Sequence, residues 1–137
     1  AMLRLSLLTG NDVYRKSAST TLRSMNKIME THPTALTYWL GVLDFYLSTP
    51  KEIAIIGSQE DPATNALLQV LFQRFQPNRV IAGSRADTNS DHGIPLLESR
   101  TMLNGEPTAY VCENRICDLP TTDPSVFAAQ LLATRTP

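Results

Sequence analysis

The sequence has 137 residues, 42% of them hydrophobic and 18% charged, with a formal net charge of −1, which suits a globular chain with one or two small cores. That near-neutral balance, with arginines scattered at Arg74, Arg79, Arg85, Arg100 and Arg115, carries no basic run and argues against nucleic acid or an acidic membrane surface as partner. No apolar run reaches bilayer-spanning length, MLRLSLL is too short for a signal-peptide core, and two cysteines are too few for a disulfide-scaffolded secreted module, so a cytoplasmic, reducing compartment is expected.

Residues 2–8 read as the last turns of a helix closed at Thr9-Gly10-Asn11, with Gly10 suited to the C-cap. The chain thus opens inside a helix with no capping residue ahead of Met2, as a piece of a longer polypeptide would. Asp12 is expected to cap a second helix over Val13–Glu30, whose stripe Tyr14, Ala18, Leu22, Met25 and Met29 advances in steps of four and three. Pro33 can open the next helix. From Ala35 to Leu47 that helix is apolar almost all round, so it is expected to be enclosed by the rest of the chain, by further helices or by a second copy.

After Ser48-Thr49-Pro50 the pattern changes. Glu52–Ile56 is a short, continuous β-rich run, as in a strand buried on both faces. Asp61 caps and Pro62 opens a helix of Ala63–Phe75, with Leu67, Leu68, Leu71, Phe72 and Phe75 on one face. Arg79–Ala82 follows as a second strand, making a parallel βαβ unit. The polar loop Gly83–Gly93 leads to Ile94-Pro95-Leu96-Leu97, a short apolar segment expected to tuck onto the core. Asn104-Gly105-Glu106 turns into a β-hairpin through PTAYVCENRICDLP, and Asp123-Pro124 starts a last helix.

The predicted fold is α/β: a small parallel-containing sheet (βαβ plus a C-terminal β-hairpin and helix) preceded by an antiparallel helical hairpin. The expected division is a helical hairpin segment over residues 1–50, the end of an α-toroid-like domain, and a small α/β domain over 51–137.

The most reactive groups are Cys112 and Cys117. With Asn114-Arg115 as a two-residue loop, Glu113 opposes Ile116 and Cys112 opposes Cys117 in a non-hydrogen-bonded pair, within disulfide reach. The same register sets Tyr110, Cys112, Cys117 and Leu119 on one otherwise apolar face, where two free thiols also fit as core residues. Buried thiols, a reversible redox pair and a permanent disulfide all remain open at this point. Of the nearby charges, Glu113 and Asp118 would not depress a thiol pKa, whereas Arg115 would.

Other sites carry weaker signals. Gly57 and Ser58, ahead of the Asp61 helix, stand where anions bind helix N-termini, yet neither GxGxxG nor GxxxxGK[ST] is present and no cofactor is expected. His92 lies in the polar loop as a candidate acid, base or ligand-loop residue, without a nucleophile beside it. His32 reads as a turn residue, and zinc would need His32 and His92 to join the cysteines at a spacing unlike common closed sites, so no metal is expected. Trp39, Tyr38 and Tyr46 could stack on a sugar but read more simply as core.

Four stretches carry a resemblance: LTGNDVYRKSA at 8–18, HPTALTYWLGVLDFYL at 32–47, KEIAIIGSQEDPATNALL at 51–68 and GEPTAYVCENRICDLPTTDP at 105–124. Together they resemble the C-terminal end of the spermatogenesis-associated protein 20, or YyaL-like, family. That resemblance implies a full-length protein with an N-terminal thioredoxin-like domain, then a toroid of helical hairpins similar to sugar epimerases and six-hairpin glycosidases, then a tail like this one. It singles out Cys112 and Cys117, with Gly57, Asp61 and Pro62, and implies no catalytic role for them. The function it implies is a non-catalytic domain packing on the toroid, with a minor thiol–disulfide role. The alternative is a part of a carbohydrate-processing enzyme that contributes loop residues. The expected partners are the rest of its own chain (helical toroid and thioredoxin-like domain) and a second copy of the fragment, but neither nucleic acid nor membrane.

Overall fold

The computed structural model describes residues 1–85 and 93–133. Three helices come first: α1 (Met2–Thr9), α2 (Asp12–Thr31) and, after a 3-10 turn over Pro33–Leu36, α3 (Thr37–Leu47). Gly10 ends α1 in the left-handed conformation at φ 66°, as its C-cap position requires. The cap of α2 is Asn11, whose side chain accepts the Val13 N–H, so Asp12 is already in the first turn. Adjacent Asx residues compete for a cap, and here the amide takes the hydrogen bond while the carboxylate takes the first-turn place favoured by the helix dipole.

The rest of the chain builds the sheet: β1 (Lys51–Ile56), α4 (Pro62–Phe72), β2 (Arg79–Ser84), a 3-10 turn at Pro95–Leu97, β3 (Thr108–Glu113), β4 (Ile116–Cys117) and α5 (Pro124–Leu132). The four strands lie in the order β2-β1-β3-β4. The β1–β2 pair is parallel and the others antiparallel, so the predicted βαβ unit and hairpin both form. Asp61 and Asp123 cap α4 and α5, each followed by proline in the first turn.

Alternation along β1 sends its side chains into two cores, one on each face of the sheet. Ala54 and Ile56 join Leu3, Ala18, Phe45, Val80, Ala82, Leu96 and Leu97 under the N-terminal helices. Ile53 and Ile55 join Leu67, Leu71, Ala109, Val111, Phe127 and Leu131 under α4 and α5. The central strand is therefore buried from Glu52 to Ile56, the reason it reads as an unbroken apolar run. The segment at 94–97 tucks in as expected, with Leu96 and Leu97 buried.

Of the three covers expected for α3, the rest of this chain does not supply one: only Phe45 of the helix is buried, while Tyr38 is 76% and Leu47 73% exposed. The α4 helix stops at Phe72 rather than Phe75, and both phenylalanines stand in solvent, Phe75 at 92% exposure. Arg79, whose Nη1 donates to the Leu71 carbonyl, lies over the outer face of Phe72. Among the described residues, no helix is long and apolar enough to cross a membrane.

Candidate functional site

The tip of the β3–β4 hairpin is a two-residue turn in which Asn114 and Arg115 both have positive φ, 50° and 64°. That is the type I′ geometry, whose twist matches the strands and fixes their register. Glu113 faces Ile116, and Cys112 faces Cys117, as the sequence predicts. The two cysteines are joined by a disulfide.

The face they share is not apolar throughout. Cys112 is 1% exposed, but Cys117 is exposed and Leu119 stands 86% in water. The strand β4 is a two-residue sheet edge with both residues exposed, so alternation alone does not mark its face as buried. The reading of two buried free thiols is replaced by a disulfide with one sealed and one accessible sulfur.

A guanidinium lies on this disulfide. Arg100 Nη2 is 3.2 Å from Cys112 Sγ and 3.4 Å from Cys117 Sγ. Its Nε donates to the Leu96 carbonyl at 2.6 Å, and its Cζ sits 4.8 Å from the centre of the Tyr110 ring. Tyr110 is itself held by Thr101, donating its hydroxyl to the carbonyl and accepting the N–H. Burial lowers the Arg100 pKa, while Tyr110 and Glu52 act in the opposite direction; an arginine so placed stays cationic. Glu52 is Cys112's neighbour across β1, buried, with Oε1 accepting the Arg115 backbone N–H at 3.3 Å. The Arg115 side chain is turned toward the α1–α2 junction, where a Cβ at Gly10 would lie 3.7 Å from its Nη2. The cation beside the sulfurs is thus Arg100, not Arg115.

Chemically, a disulfide in contact with a fixed cation has a stabiliser ready for a thiolate, since a charge-assisted N–H···S⁻ contact favours the ionised sulfur. Nothing in the linear sequence marks Arg100 for this, being 12 and 17 residues from the two cysteines. Glu52 was equally hidden, inside a run that reads as core strand.

The other candidates separate from this site. A Cβ on Gly57 would meet Thr64 Oγ1 at 2.5 Å and Pro107 Cβ at 2.9 Å, so this glycine permits close packing of the β1–α4 junction. Ser58 Oγ donates to Glu60 Oε2, and Asp61 Oδ1 accepts the Ala63 N–H at 2.8 Å. The Ser58 hydrogen bond holds the Glu60 carboxyl below its usual range, helped by its own backbone N–H and by Arg85. Two carboxylates therefore occupy the α4 N-terminus where an anion would bind. His32 is exposed, with Nδ1 2.8 Å from Thr31 Oγ1, and His92 lies outside the described residues. Among the described residues, no three His, Cys, Asp or Glu side chains cluster as metal ligands would.

A second feature is a surface groove of about 510 Å³ lined by Leu3, Leu22, Tyr38, Trp39, Val42 and Phe45. Arg4 and Pro77 also line it and continue into a groove of about 480 Å³ beside Phe72 and Phe75. Tyr38 and Trp39 border this groove instead of filling a core, whereas Phe45 is buried and Tyr46 packs against the core.

Comparison with known proteins agrees with the resemblance seen in the sequence. The chain is 32% identical over 125 residues to spermatogenesis-associated protein 20 of Homo sapiens. It is 30% identical over 125 residues to the proteins of the same name from Mus musculus and Rattus norvegicus. These matches cover 90% of this chain but 16% of each relative's length. No family model and no solved structure matches. By sequence, the chain is homologous to a portion of the spermatogenesis-associated protein 20 family.

Proposed function

We propose that this chain is a non-catalytic α/β domain from the C-terminal end of a longer polypeptide, and that it packs on a helical remainder of that polypeptide through α3. In this reading residues 1–50 belong to the edge of a toroid-like helical domain, and 51–137 form the small α/β domain. The observation that carries it is the exposed apolar surface of α3, with Tyr38 and Leu47 its most exposed large side chains and Tyr38 lining the groove. A helix apolar on nearly all sides is ordinarily covered, and burying each such side chain is worth about 1.5–3 kcal/mol. The relatives support a longer polypeptide as partner, since the matched portion is 16% of their length.

A minor thiol–disulfide role at Cys112 and Cys117 is attached to this reading, supported by the guanidinium contact. In a cytoplasmic, reducing compartment such a disulfide would be reversible rather than permanent. The carbohydrate-processing alternative rests on His92, outside the described residues, and gains no support from the described geometry.

The test supplies the remainder of the polypeptide in trans and measures binding to this chain by calorimetry. Binding that is lost in Tyr38→Asp/Leu47→Asp, with the circular dichroism spectrum unchanged, supports the reading. Equal binding by the variant, or self-association of this chain through α3 without any binding of the remainder, contradicts it.

A further inference from the structure

We propose that Arg100 makes the Cys112–Cys117 disulfide a directional site for exchange with a small-molecule thiol. The incoming thiolate attacks Cys117 Sγ, and Cys112 departs as a thiolate held against the guanidinium. The proposal rests on the minor thiol–disulfide role above and assigns the parts of that site.

Access sets the direction. Cys117 lies exposed on the edge strand, whereas Cys112 is 1% exposed, so a thiolate from solvent reaches the Cys117 side of the disulfide first. Arg100 Nη2 contacts both sulfurs, at 3.2 Å from Cys112 and 3.4 Å from Cys117, so the departing Cys112 thiolate forms already against the guanidinium. The guanidinium is fixed in place before any attack by the Leu96 carbonyl and the Tyr110 ring.

The facing charges decide whether a thiolate is favoured there. Glu52 opposes Cys112 from β1 and acts against a second negative charge, but its Oε1 already accepts the Arg115 N–H. Glu113 is paired with Lys51 at 2.6 Å, and Asp118 is the half-buried neighbour of Cys117 in sequence. Tyr110 presents its ring to the guanidinium and its hydroxyl to Thr101. Arg100 is the cation in direct contact with sulfur, and a contact of that kind outweighs a carboxylate already hydrogen-bonded elsewhere.

The steps balance. A thiolate RS⁻ forms an RS–Sγ bond to Cys117 as the Sγ–Sγ bond breaks and its electron pair goes to Cys112. A second thiolate then attacks the R-bearing sulfur, giving RSSR and the Cys117 thiolate, which takes a proton from water. Two thiols are oxidised and one cystine is reduced.

The experiment treats the native chain with reduced glutathione, quenches with acid, and locates the adduct by peptide mass spectrometry. The glutathione adduct is expected on Cys117, with opening slowed about tenfold in Arg100→Gln and partly restored in Arg100→Lys. Because Arg100 also holds the 94–97 segment, a second measurement leaves it intact. In Cys117→Ser, the thiolate absorbance of Cys112 should rise with a midpoint below the ordinary thiol value of about 8.5. If glutathione fails to open the native disulfide, both the redox role and this proposal fall. If it opens but the adduct sits on Cys112, or Cys112 titrates at or above the ordinary value, only the proposal falls and the redox role stands.

Discussion

Lys51 and Glu113 face each other across the β1–β3 ladder, with Nζ 2.6 Å from Oε1 and both side chains largely buried. Lys51 Nζ also donates to the Ala133 carbonyl at 2.7 Å, just past the end of α5. One cation therefore ties the two central strands to the C-terminal helix, where a positive charge also complements the helix dipole. Removing it strands a buried carboxylate, so Lys51→Ala should cost about 2–4 kcal/mol in urea unfolding. The double variant Lys51→Met/Glu113→Leu should cost less than Lys51→Ala, because no unpaired charge remains. A double variant at least as unstable as the single one would show that the pair matters for something other than charge compensation.

At Gly57 the constraint is space. A methyl group there meets Thr64 Oγ1 at 2.5 Å and the Pro107 ring at 2.9 Å, both on buried residues. Gly57→Ala should destabilise by about 1–3 kcal/mol, the usual range for overpacking. Adding Thr64→Ala should return part of that loss, since it removes the nearer obstacle. Measured thermal midpoints that leave Gly57→Ala level with the parent would contradict the packing described for this junction.

Two helix starts give a pH dependence. Hydrogen bonds from the Ser125 hydroxyl, the Ser125 N–H and the Val126 N–H hold the Asp123 carboxyl below its ordinary value of 3.8. Glu60 is held below its ordinary 4.5, chiefly by Ser58. A carboxylate depressed in the folded state binds fewer protons there than in the unfolded state. Its contribution is therefore fully present above the ordinary value and lost as pH falls through the folded one. The thermal midpoint should thus show no pH dependence from these two groups between pH 7 and about 5.5, where their contribution is fully present, and should lose their share below about 4. Asp123→Asn keeps a capping acceptor without the titration, so its acid loss should be shallower than the parent's.

The hairpin turn carries a residue ill suited to its backbone. Arg115 adopts φ 64°, which costs a residue with a Cβ about 1 kcal/mol relative to glycine. Arg115→Gly should stabilise the chain by up to that amount while leaving the Cys112–Cys117 register intact. Lower stability in the variant would mean that the Arg115 side chain at the α1–α2 junction contributes more than the turn strain removes.

Much of the fold could be read from patterns that depend only on neighbours in sequence. The Asp61-Pro62 and Asp123-Pro124 starts, the buried run of β1, the Gly10 stop and the Asn114-Arg115 register all follow from local geometry. The misses share a physical cause, dependence on what lies beside an element in space. The apolar circumference of α3 says that something covers it, but not which polypeptide does. Cys117 and Leu119 keep the right alternation, but Cys117 lies on a two-residue edge strand and Leu119 beyond its end, and both are exposed. Phe72 and Phe75 keep helical spacing on a helix that ends three residues sooner. Arg100 belongs to the cystine only because the 94–97 segment folds back under Tyr110.

The most direct test of the docking role is hydrogen exchange on α3, compared between this chain and the longer polypeptide. Amides of residues 37–47 should exchange markedly more slowly in the longer polypeptide, with those of α4 and α5 little changed. The same exchange rates for residues 37–47 in both would contradict a domain that packs through α3.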